Sequence, residues 1–124
     1  MKSDTLRVPD ATLYYELRGG GPLLVLVGAP MGARYFAPLA DLLAADHTVL
    51  TTDPRGIGAS VLDVPGSGST AEQRADDLAR LIAHVDAGPV ALLGTEPAIF
   101  PGGHVEFLLD PPRFAPRLRE VLKK

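Results

Sequence analysis

Leu23-Leu24-Val25-Leu26-Val27 is an unbroken apolar run with glycine turns on both sides, Gly19-Gly20-Gly21 before it and Gly28 after it. Apolar residues in an unbroken row between turn signals suit a strand covered on both faces, as in a parallel sheet. Such a strand needs helices above and below it, and the rest of the chain supplies candidates. Arg34–Ala45 reads as a helix with Phe36, Leu39 and Leu43 on one face. Pro38 fits that helix only if it lies in the first turn. His47–Thr51 reads as the next strand, with β-branched Thr48, Val49 and Thr51. Ser69-Thr70-Ala71-Glu72 matches a capping box with Ser69 as N-cap. The helix it opens carries Ala75, Leu78, Ile82 and Val85 on one face and ends near Gly88. Pro89–Leu93 is a further buried strand.

At the N-terminal end, Thr5–Val8 and Thr12–Leu17 flank a turn at Pro9-Asp10 and suit an antiparallel hairpin or a sheet edge. At the other end, Pro97–Phe100 reads as a short strand. Asp110 caps a final helix with Pro111 in its first position and Phe114, Leu118, Val121 and Leu122 on its apolar face. Strands and helices alternate. The expected class is therefore α/β, a mainly parallel sheet with flanking helices, in a single domain over residues 1–124. Residues 1–94 form its βαβαβ part, and residues 95–124 supply a last strand, a loop and a helix.

Composition excludes several functions. Hydrophobic residues make up 46% and charged residues 22% of the 124, the balance of a globular chain. The net charge of -3 and the lack of a basic stripe argue against nucleic acid or an anionic membrane as partner. No apolar run is long enough to span a bilayer, and Met1-Lys2-Ser3-Asp4 leads into no signal-like apolar region, so a cytoplasmic protein is expected. With no cysteine there is neither a disulfide nor a thiolate metal site. The three histidines show no metal-ligand spacing, so no metal and no cofactor is expected. His47 and His84 stand at element ends and are expected at the surface. Asp76-Asp77 reads as a solvated face near a helix N-terminus.

Three loops follow strands, where open α/β sheets place their ligands. They are Gly28-Ala29-Pro30-Met31-Gly32, Asp53-Pro54-Arg55-Gly56-Ile57-Gly58-Ala59-Ser60, and Pro101-Gly102-Gly103-His104-Val105-Glu106-Phe107. In that order they resemble the α/β-hydrolase fold family. The resemblance implies that the first is an oxyanion loop, with Gly28, the backbone N–H of Ala29 and the neighbouring N–H of Met31. It implies that the second is a D-x-R-G-x-G-x-S turn in which Asp53 and Arg55 brace the loop. It implies that His104 is the family's catalytic base. The family's histidine before the first loop's glycine is replaced here by Val27.

The departures from the family bear on activity. Its nucleophile sits in G-x-S-x-G on a sharp strand-to-helix turn. At that place this chain has Gly94-Thr95-Glu96-Pro97-Ala98. Carboxylate nucleophiles occur in relatives that open epoxides, but the residue after the nucleophile must donate an N–H to the oxyanion, and Pro97 has none. Ser60, Ser67 and Ser69 are loop or cap serines without an elbow to expose them. The expected function is that of a protein resembling small-molecule ester or amide hydrolases, inactive or very weak, with no identifiable substrate. The alternative is a non-catalytic folded remnant or engineered deletion that self-associates. Self-association is expected because only Gly94, Thr95 and Glu96 separate Pro89–Leu93 from Pro97–Phe100. Parallel strands need a crossover of about a dozen residues or more. The last strand must therefore fold back as a hairpin, or residues 97–124 must dock on a second copy in a domain-swapped homodimer.

Overall fold

A computed structural model describes residues 1–28, 31–86 and 90–94. Its elements in chain order are β1 (Lys2–Val8), β2 (Ala11–Gly19), β3 (Leu23–Val27), α1 (Ala33–Leu43), β4 (Thr48–Thr52), β5 (Val61–Leu62), α2 (Ala71–Val85) and β6 (Val90–Gly94). The expected strand at Pro97–Phe100, the histidine loop and the C-terminal helix lie outside the described residues.

The strands form one sheet in the order β1-β2-β4-β3-β6. Its centre is parallel, with β3 beside β4 on one flank and β6 on the other. Its N-terminal side is antiparallel. There β2 pairs with β1 through the tight Pro9-Asp10 turn and with β4. β5 was not expected; it lies within a stretch read as loop and adds two residues to β2, Ala11↔Leu62 and Thr12↔Val61.

β3 accounts for the layering. Leu24 and Leu26 face α1 in a cluster with Phe36, Leu39, Ala40, Leu43 and Val49. Leu23 and Val25 face the other way, in a cluster with Val8, Ala11, Leu13, Tyr15, Leu50, Leu78 and Leu81. All four of these β3 side chains are essentially inaccessible to water, as expected of a strand covered on both faces. Burying each such side chain contributes roughly 1.5–3 kcal/mol.

Several local expectations need correction. Pro38 lies in the interior of α1, not its first turn. It and Arg34, whose carbonyl loses its usual helical donor to the proline, both sit on the exposed side of the helix. The N-cap of α2 is Thr70, not Ser69. Gln73 N–H donates to Thr70 Oγ1 at 3.1 Å, and Thr70 N–H donates to Gln73 Oε1 at 2.9 Å. Ser69 instead receives Arg74 Nη1 at 2.9 Å. The helix ends at Val85, where Asp86 takes the left-handed conformation and donates its N–H to Ile82 O. His47 is buried, not at the surface, because its N–H donates to Leu43 O and draws it against the end of α1. His84 is exposed, its ring 6.1 Å edge-on from that of Tyr15. Among the described residues no helix is long and apolar enough to cross a membrane.

Candidate functional site

The parallel strands β3 and β4 end side by side. The loops that leave them, residues 28–32 and 53–60, meet at the carboxylate of Asp53. Helix α1 begins at Ala33 with Gly32 as N-cap, and Gly32 has no side chain to satisfy the first free N–H groups. Asp53 does so from across the sheet: its Oδ1 accepts the Ala33 N–H at 2.7 Å. Its Oδ2 accepts the Ala59 N–H at 2.8 Å, which closes the second loop onto the same group. The position suits a carboxylate, since a helix N-terminus favours negative charge.

Two glycines make room for it. A Cβ on Gly32 would stand 2.5 Å from Asp53 Oδ1, and one on Gly58 would stand 2.4 Å from Asp53 Oδ2. Gly58 also has φ +54°, which L side chains rarely adopt.

Ser60 completes the brace. Its hydroxyl donates to Asp53 O at 2.6 Å and accepts the Tyr14 N–H at 2.8 Å. The group is buried and both its roles are taken. Thr52 Oγ1 donates to Tyr14 O at 2.7 Å, so the loop is stitched to β2 from both sides of Asp53. Within the first loop, Met31 N–H donates to Gly28 O at 2.6 Å. That N–H is therefore engaged inside the loop. Gly28 is buried at the end of β3. Ala29 and His104 lie outside the described residues.

Arg55 points away from the first loop. Its Nε and Nη2 each donate to the Asp77 carboxylate at 2.8 Å, and Nη2 also reaches Pro9 O at 3.0 Å. The two side chains are 4% and 7% exposed, so this is a buried, bidentate ion pair. The hydrogen bond to Asp77 raises the Arg55 pKa against the opposing effect of burial. Asp77 is thus not a solvated residue beside Asp76. It shares the buried face of α2 with Leu78 and Leu81, and only Asp76 is exposed. That helical phase was the sequence signal that could have revealed it.

A cavity of about 40 Å³ lies at these strand ends, walled by Leu13, Val27, Leu78 and Leu81 and rimmed by Gly28, Thr52, Asp53, Arg55 and Asp77. Small-molecule sites usually measure about 300 Å³ or more. Among the described residues no three histidine, aspartate or glutamate side chains converge as a metal site would require.

No protein-family model matches the chain. Relatives do. The hydrolase YraK of Bacillus subtilis is 36% identical over 96 residues, which are 77% of this chain and 35% of YraK. An α/β hydrolase from Sphaerobacter thermophilus superposes with a TM-score of 0.64 at 35% identity, covering 74% of this chain and 35% of its own. The chain belongs to the α/β-hydrolase fold family. A Pseudomonas aeruginosa structure assigned to an epoxide hydrolase aligns with a TM-score of 0.68 at 27% identity, over 77% of this chain and 33% of that one. This α/β-hydrolase fold chain thus spans about a third of the length of the relatives it matches. The resemblance drawn from its loops stands, and it covers about three quarters of the chain.

Proposed function

We propose that this chain keeps the loop scaffold of an α/β-hydrolase and carries out no hydrolysis of its own. One observation carries the reading: β6 leads into Thr95-Glu96-Pro97, where the family places a serine followed by an N–H donor. Acyl transfer needs a nucleophile within reach of a base and preorganised donors for the oxyanion. Threonine and glutamate here precede a proline that has no N–H to donate. Ser60, the serine nearest the strand ends, has its hydroxyl committed to Asp53 and Tyr14. With no nucleophile to activate, His104 is a family base without a task.

Purified protein is expected to show no labelling by a serine-reactive fluorophosphonate. Its hydrolysis of p-nitrophenyl esters should be unchanged by His104→Ala. Stoichiometric labelling of a single serine, or ester turnover abolished by His104→Ala, would overturn the reading and restore a working hydrolase.

A further inference from the structure

We draw no further inference here: the strongest candidate, the small cavity at the ends of β3 and β4 between Leu13, Val27, Leu78 and Leu81, belongs to the site already described, and its rim side chains Asp53, Arg55 and Asp77 are already bonded within the fold.

Discussion

Asp53 and Asp77 were both in plain view as acidic residues, yet their roles are set by partners far along the chain. Asp53 ties the start of α1 to the turn at Ala59, and it is hemmed in by glycines that leave no space for a Cβ. A carboxylate held by two backbone donors at a helix N-terminus acts as a staple. The family motif gave the residue its bracing role, but not the atoms it braces. Asp77 was misjudged because its neighbour Asp76 is solvated and its partner Arg55 is in a different element. A buried ion pair contributes little net stability when intact, but removing one member strands the other charge. Asp77→Ala is therefore expected to cost about 3–5 kcal/mol in urea denaturation. The double replacement Arg55→Met with Asp77→Leu should recover most of that loss, since it leaves no buried charge. If the double variant is as unstable as the single one, the packing of α2 and not the stranded guanidinium sets the cost.

Elements were more legible than residues. The apolar run of β3 and the helical spacing of Phe36, Leu39 and Leu43 identify both layers of the core, because burial on two faces and on one face leave different sequence periods. The start of α2 was misplaced by one position for a physical reason. Ser69-x-x-Glu72 and Thr70-x-x-Gln73 are overlapping boxes of the same chemistry, and only the backbone decides between them. β5 left no signal, since two residues inside a Gly/Pro-rich stretch have no period to detect. The cap assignment yields a direct check. Thr70→Ala should destabilise the fold by about 1 kcal/mol. Ser69→Ala, at an exposed position whose hydroxyl receives the half-buried Arg74, should change stability by under about 0.5 kcal/mol. Equal losses in chemical denaturation would mean that the two boxes exchange in solution.

Across the whole molecule, the sheet's parallel centre followed from sequence, and its antiparallel flank followed only in part. The hairpin of β1 and β2 was expected, whereas the pairing of Tyr15 with Thr52 joins segments with no local signal between them. The two cores differ in another respect. Every member of the α1-side cluster comes from one stretch of chain, Leu24 to Val49. The α2-side cluster draws on residues from Val8 to Leu81. Closing a long loop costs entropy before its contacts return any enthalpy, so short-range cores tend to assemble early. The β3-α1-β4 unit should therefore form in the rate-limiting transition state, with the hairpin and α2 settling afterwards. In stopped-flow experiments Phe36→Ala should slow refolding, whereas Leu81→Ala should act mainly by speeding unfolding. A Leu81→Ala protein that refolds as slowly as the Phe36→Ala one would place both layers in the nucleus. On the expected outcome, the strand whose sequence first announced this fold is also where folding begins.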